Sequence, residues 1–433
     1  MRILTIVHRL GIGGTERTVQ NFVRQFQLAG HDVAVMTTLE GGVREEILAE
    51  WSIPTFIGSK NDQEQLETAL NAADKFQPEV IHIHRSGIPN EHESRILKHL
   101  KTGDRKVVET SMFGRVDHTI GGQLVDVHCH VSRWNLWRWK KWMGRDAETK
   151  PAVFIPNPLD TDIFRRSTDK EIKKFRNSHG IPADAFVLGR IARRDSYMWH
   201  TSNIDAYAAL AKKADNVWFI GIGIPENIDA QIATYDKSVS DRIVRIPTTS
   251  NDKELCTVLS SMNAFLHANP YGETFGLAPA EALLCEVPLL TVCCPLRSNG
   301  HLELTNFGHA GVIASRFPEL PRVVHNFHTN WQSAPKHLTA GREFIVENYD
   351  QRSVSQQALL AMNHALHSQS LTDLEARLKK DEQLVTVVTN KEIDQLLESV
   401  SGSRGILERV AAKVVFHPVG YRLYRRLTGK TNS

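Results

Sequence analysis

Short runs rich in β-branched residues alternate with segments of helical periodicity from the first residues to about position 293, and this alternation restricts the chain more than any other feature. It implies βα units and a parallel sheet. Arg2–His8 reads as a buried strand. Thr15–Gly30 reads as a helix with Val19, Phe22, Val23 and Phe26 on one face and Gly30 at its C-cap. Strands follow at Asp32–Thr37, Val80–His84 and Lys106–Glu109, Gln123–Val131 runs into another, and the segment Val153–Pro158 closes the first domain. A second set begins near Phe186, with strands Val187–Ile191, Val217–Ile220, Ile243–Ile246, Ala264–His267 and Pro288–Cys293. Helices are expected at Ser202–Lys212 and from about Ala278 to Cys285. The economical reading is an α/β protein of two Rossmann-like halves. After about residue 368 strand signals stop, and the remainder is polar, helix-favouring and basic from Arg404 onward.

A chain of 433 residues has room for two or three domains. Its net charge of +3 is too near balance for a nucleic-acid binder, so no nucleic-acid partner is expected. The apolar run in the opening MRILTIVHRL is too short for a secretory signal, and no run approaches the roughly 18 residues of a spanning helix. The cysteines Cys129, Cys256, Cys285, Cys293 and Cys294 show no metal-type spacing. An odd number with two adjacent members fits buried thiols in a reducing compartment, so a cytoplasmic location is expected, with a membrane surface open as a partner.

Gly11, Gly13 and Gly14 lie between the first strand and the first helix. There, free helix N–H groups and close backbone approach suit a phosphate, although an ordinary tight turn has the same sequence. A third glycine and an acid ending strand two are both missing, which argues against a dinucleotide-dependent oxidoreductase. The strongest segment is Tyr271–Pro288, in which Glu273, Phe275, Gly276, Leu277 and Glu281 bring two carboxylates and a row of backbone N–H groups to the start of one helix. Carboxylates accept hydrogen bonds from sugar and ribose hydroxyls, and the N–H row suits phosphate. A helix capped by acidic residues is the plainer alternative.

The E-x-F-G-x-x-x-x-E-A pattern of that segment, with Pro288 leading a strand, resembles the retaining family-four glycosyltransferases of GT-B fold. The resemblance spans about residues 1–365. It takes in GGTERTVQNF after the first strand, the His82-x-His84 strand end, His130-Val-Ser132, Ile155-Pro-Asn157-Pro-Leu-Asp160 with Phe164, Leu188-Gly-Arg190, and Asn299 through Gly311. It implies two Rossmann-like domains facing across a cleft. Residues 1–165 would form the acceptor domain, 166–350 the nucleotide-sugar donor domain, 351–368 a helix returning to the first domain, and 369–433 a helical extension with a basic tail.

The resemblance also implies roles. Gly13 and Gly14 would approach the donor phosphates, and Arg190 would neutralise the pyrophosphate of the leaving group. Glu273 would hold the transferred sugar, with the amides of Phe275, Gly276 and Leu277 around sugar and phosphate, and Glu281 would bind the ribose. The expected partners are a nucleoside-diphosphate sugar, which is a substrate rather than a cofactor, and a hydroxyl acceptor; no metal or cofactor is expected. Asp215 and Asp160-Thr-Asp162 read as loop and cap residues.

The chain departs from the family in two places. Where a histidine often ends the strand, it has Glu109, Thr110 and Ser111, with His118 beyond. Where a lysine usually follows the L-G-R arginine, it has Arg193 and Arg194, one of which is expected to replace it; the same loss also fits a degenerate member that binds without turnover. Two basic segments bear on a membrane partner. Arg133–Trp142 carries four tryptophans among four cations, which suits either an interfacial helix or one packed on the first domain. The tail from Arg404 to Lys430 suits acidic lipid or a solvated helix.

Overall fold

The computed structural model describes residues 1–294, 297–331 and 335–401, with isolated positions 417, 419, 420 and 423 beyond them. The basic tail from Arg404 thus lies outside the described residues, apart from His417, Val419, Gly420 and Leu423. The chain divides into two units, the first of Met1–Pro158 and Gln351–Asn390, the second of Leu159–Asp350 with the described part of Lys391–Arg409.

In the first unit β1 (Arg2–Val7), β2 (Asp32–Thr37), β3 (Thr55–Phe56), β4 (Val80–Arg85), β5 (Lys106–Ser111), β6 (Val127–His130) and β7 (Ala152–Phe154) form one sheet in the order β3-β2-β1-β4-β5-β6-β7. Every pairing is parallel. A parallel sheet is covered on both faces, so its strands are apolar through their length. Val19, Phe22, Val23 and Phe26 of the helix Gly14–Leu28 pack into the core on one face, as the periodicity predicts. Ala69, Ala72, Ile96 and Leu97 cover the other face, from the helices Asp62–Phe76 and Glu91–Leu100.

The second unit repeats this plan. Its strands are β8 (Phe186–Ile191), β9 (Val217–Ile222), β10 (Ile243–Ile246), β11 (Ala264–His267), β13 (Leu289–Val292), β15 (Gly311–Ala314) and β16 (Val400–Ser401), in the order β10-β9-β8-β11-β13-β15-β16 and all parallel. A separate two-stranded pair, β12 (Gly272–Glu273) with β14 (Ser298–Asn299), stands outside that sheet.

Two expectations need correction. The first unit ends at Pro158, not at 165, because the following residues are held by the second unit: Leu159 N–H donates to Tyr349 C=O at 2.9 Å, and Arg342 donates to the carbonyls of Thr161 (3.2 Å) and Phe164 (2.8 Å). The residues after 368 are not one appended segment. Leu374, Leu378 and Leu384 join the first unit's core, whereas Val400 and Ser401 add an edge strand to the second sheet. Of the two readings of the tryptophan-rich helix, Arg133–Met143, the packed one holds. Trp134, Trp139 and Trp142 are buried, Trp139 lies 5.0 Å from the His130 ring, and Trp137 Nε1 donates to Asn390 Oδ1 at 2.8 Å. Asp160 acts as a local cap, accepting from the amides of Asp162 and Ile163.

Candidate active site

Ligands in open parallel sheets gather at the carboxyl ends of the strands. In the second unit that edge is built by β8, β11 and the loop leading to the helix Leu277–Leu284. β11 ends at His267, and Asn203 then grips the next peptide on both sides, its Oδ1 accepting from Ala268 N–H at 2.9 Å and its Nδ2 donating to Ala268 C=O at 2.8 Å. The chain turns at Asn269, whose Oδ1 accepts from Tyr271 N–H. Gly272 has φ +66°, and a Cβ there would lie 1.8 Å from the Ser298 carbonyl oxygen. Gly272→Ala is therefore expected to separate β12 from β14 and to destabilise the unit by about 1–3 kcal/mol, read as a lower denaturant midpoint with an unchanged slope.

This turn delivers Glu273. Asn269 Nδ2 donates to Glu273 Oε1 at 2.9 Å, and Glu273 N–H donates to His301 Nδ1 at 3.3 Å. His301 in turn donates from Nε2 to Val292 C=O at 3.1 Å, which fixes its neutral tautomer; burial pushes its pKa down to about 4. Burial pushes the Glu273 carboxyl up, opposed by the Asn269 hydrogen bond and by the charges of Arg190 and Arg193. Asn299, fully buried, bonds the Cys294 peptide through both side-chain atoms and so holds the β14 side of the pair.

Gly276 caps the following helix at φ +101°, a conformation that disfavours any side chain, and contributes no capping group. The helix closes at Ala280 N–H to Gly276 C=O, so the amides of Leu277 and Ala278 have no hydrogen-bond partner among the described residues, and Pro279 has no N–H. Two such amides at the positive end of a helix dipole can receive an anion, and they follow Glu273 closely in the chain. Phe275 is buried with its ring edge-on to Tyr349 at 5.4 Å, so only its backbone serves this turn. Glu281 is buried in the same helix.

Arg190, at the end of β8, is sealed. Its side chain is fully buried, Nη1 donates to Leu266 C=O at 3.3 Å and to His267 Nδ1 at 3.1 Å, Nη2 donates to Met198 C=O, and the guanidinium lies 5.2 Å from the Trp199 ring. Burial lowers its pKa to about 10, against the pull of Glu273. The expected open contact between Arg190 and a diphosphate is thus occupied by the chain's own Met198 carbonyl. Arg193 and Arg194 are both exposed on the loop that leaves β8. Arg193 donates to Tyr197 Oη at 3.2 Å and lies 3.6 Å from Asp195 Oδ2.

Gly13 and Gly14 belong to the first unit and the other eight expected site residues to the second. Gly13 caps the helix Gly14–Leu28 in an extended conformation, and Arg44, buried, holds the turn by donating from Nε to Gly11 C=O at 2.9 Å. Also in the first unit, Glu109 is buried. His128 Nδ1 lies 2.5 Å from its Oε2 and Arg85 Nε 3.4 Å from its Oε1; burial raises the carboxyl, but Arg85 and His128 outweigh this and hold it below the usual range. His118 is exposed. His267, Asn269 and His301 are site residues that the sequence reading passed over. Their one sequence signal is position, a polar side chain at or just past the end of a buried strand or turn.

No protein-family model and no curated protein matches the sequence. Solved structures do match its fold. The chain is similar to HepE of Anabaena in complex with UDP, at 16% identity and a TM-score of 0.68, over 84% of this chain and 100% of that one. The same protein in complex with UDP-glucose matches at a TM-score of 0.68, with 16% identity over 84% of this chain and 99% of that one. A glycosyltransferase from Rickettsia africae matches at 15% identity and a TM-score of 0.69, over 85% and 99% of the two chains. The two parallel-sheet α/β units are those of the GT-B glycosyltransferase structures.

Proposed function

We propose that this chain is a retaining glycosyltransferase that moves a hexose from a nucleoside-diphosphate sugar to a hydroxyl of a glycan, lipid or small molecule. The observation that carries this reading is the turn from Glu273 to Ala278, which sets a carboxylate for sugar hydroxyls beside two unpartnered helix amides for phosphate. Likeness in fold to proteins solved with UDP and UDP-glucose supports it. In this reading the donor phosphates lie against the Leu277 and Ala278 amides, and charge growing on the leaving diphosphate is met by the helix dipole and by arginine. Glu273 orients the sugar and Glu281 takes the ribose. The sugar keeps its anomeric configuration by front-face attack, with the leaving phosphate accepting the acceptor's proton. Fixed cations and amides take the part a divalent ion plays elsewhere, so chelator-treated protein is expected to keep its rate; a loss restored only by Mg²⁺ or Mn²⁺ would overturn that element.

A second reading, a protein that binds nucleotide or glycan without turnover, is favoured by one observation, the sealing of Arg190. Thermal shift against UDP-, GDP- and ADP-hexoses finds the donor, because only a ligand of the native state raises its stability. Release of nucleoside diphosphate on adding acceptor extracts, with product stereochemistry read from the anomeric coupling, then separates the two readings. Glu281→Gln is expected to weaken nucleotide binding about 10- to 150-fold, the worth of a lost hydrogen bond to a charged group. Glu273→Gln is expected to slow transfer by a similar factor with less effect on binding. Parent-like behaviour of both variants in both measurements would show that the site is misassigned.

A further inference from the structure

Arg190 is a permanent cation in a dry place. All its hydrogen-bond acceptors are neutral, namely the carbonyls of Leu266 and Met198 and the imidazole of His267, and a buried charge without a counter-charge is costly. The anion that acts on it is Glu273. Between the two stands His267, itself 4% exposed. An arginine only donates, so His267 Nδ1 must be the acceptor of the 3.1 Å bond, and the ring proton is therefore on Nε2. That Nε2 has no hydrogen-bond partner, and it lies 3.7 Å from Glu273 Oε1, just beyond bonding distance. The same Oε1 already accepts from Asn269. Glu273 Oε2 has no protein donor among the described residues.

We propose that His267 is a positioning residue that links the buried Arg190 guanidinium to the Glu273 carboxylate, holding Oε1 inward so that Oε2 is presented to the hydroxyls of the transferred sugar. The proposal rests on the reading of Glu273 as the sugar-holding carboxylate. The link is directional, because Arg190 fixes which nitrogen carries the proton, and the proton then faces the carboxylate. Burial and the neighbouring Arg190 charge keep the imidazole neutral, so it serves as a donor of fixed sense and not as a proton carrier. His301 completes the arrangement from the other side by holding the Glu273 backbone, so that side chain and main chain are fixed by separate histidines.

The test uses the full chain with its identified nucleotide-sugar donor and two variants. His267→Met removes both the acceptor and the donor, whereas His267→Gln can accept from Arg190 through its carbonyl and donate toward Glu273 through its amide. His267→Met is expected to lower kcat about 10- to 100-fold, the usual result of a misplaced site group, with the donor KM within about threefold of the parent. His267→Gln is expected to recover most of that loss. An unchanged kcat in His267→Met, or a loss in His267→Gln equal to that in His267→Met at equal melting temperatures, overturns the link. The second readout needs no turnover. Nitrogen-15 spectra of the His267 ring, assigned by its loss in His267→Gln, are expected to show the Nε2-protonated tautomer without titration between about pH 5 and 8. A ring that titrates in that range, or carries its proton on Nδ1, overturns the link. A parent that turns over no nucleotide sugar defeats the functional reading instead, and the ring spectrum still decides whether Arg190 and Glu273 are joined through His267.

Discussion

Lowering the pH from 7.5 to 5.5 is expected to reduce the melting temperature by at least about 5 °C, beginning above the range in which ordinary carboxylates titrate. The cause is a set of histidines buried in the neutral form. In the first unit burial drives His82 and His130 down to about 3 and His84 well below its usual value of 6.5, and in the second unit it drives His301 to about 4 and His267 well below 6.5. The unfolded chain binds a proton at each of these positions once the pH passes below 6.5, and the folded chain does not. Each therefore removes stability as the pH falls, by about 1.4 kcal/mol at pH 5.5, and the stability is fully present above about pH 7. Glu93 and Glu273, raised by burial, act in the opposite sense and offset part of the loss. His130 has no hydrogen-bond partner at either ring nitrogen and packs against Trp139, so His130→Phe is expected to flatten the pH profile without unfolding the protein. Melting curves from pH 5 to 8 check this, and a profile that is level or rises toward acid would contradict it.

Replacing Arg193 by methionine is expected to lower transfer about ten- to a thousandfold, with Arg194→Met within about threefold of the parent. The departing diphosphate gains charge in the transition state, and Arg190 is committed to the Met198 and Leu266 carbonyls. Arg193 is the arginine of the loop whose charge acts on Glu273, and its present partners, Asp195 at 3.6 Å and the Tyr197 hydroxyl, are exposed or half-exposed and can be exchanged for phosphate oxygens at small cost. Arg194 has no side-chain hydrogen bond or ion pair among the described residues, and the arginines whose charges act on Glu273 are Arg190 and Arg193. Arg193→Lys should recover part of the loss, since a point charge replaces a planar fork. Equal effects of Arg193→Met and Arg194→Met would remove the distinction, and a full effect of Arg190→Met alone would return the role to the buried arginine.

How far the sequence could be read depended on the range of the interactions involved. The long parallel strands and the helix Gly14–Leu28 were legible because their apolar spacing is a local property of six to fifteen residues. β12, β14 and β16 were not, since two-residue strands have no period and exist only where a partner lies alongside. β15 was missed for a similar reason, because it begins at Gly311, where the backbone must press against Leu289. Glu273, Gly276 and Leu277 were found because they lie within five residues of one another and share one turn. The sealing of Arg190 was invisible, because Met198 and Trp199 act on it through a short 3₁₀ turn, Ser196–Met198, that no periodicity announces. The tryptophan-rich helix shows the limit most plainly. The composition that suits a membrane surface also suits a buried one, and only the contacts of Trp137 and Trp139 decide between them.

The division of the first unit between Met1–Pro158 and Gln351–Asn390 governs the order in which a growing chain can fold. When residue 350 leaves the ribosome, the second unit has all its sheet strands except β16. The first unit, although its strands were made earlier, still lacks Val354, Ala358, Met362, Leu374 and Leu384, which close its core over Val19, Phe22 and Phe26. Its sheet therefore waits with one apolar face covered only in part, by the helix Gly14–Leu28, while some 190 later residues are made, about ten to forty seconds at ordinary rates of synthesis. The part of the first unit that is made early is completed after the middle, and during that interval it is the part that carries uncovered apolar surface.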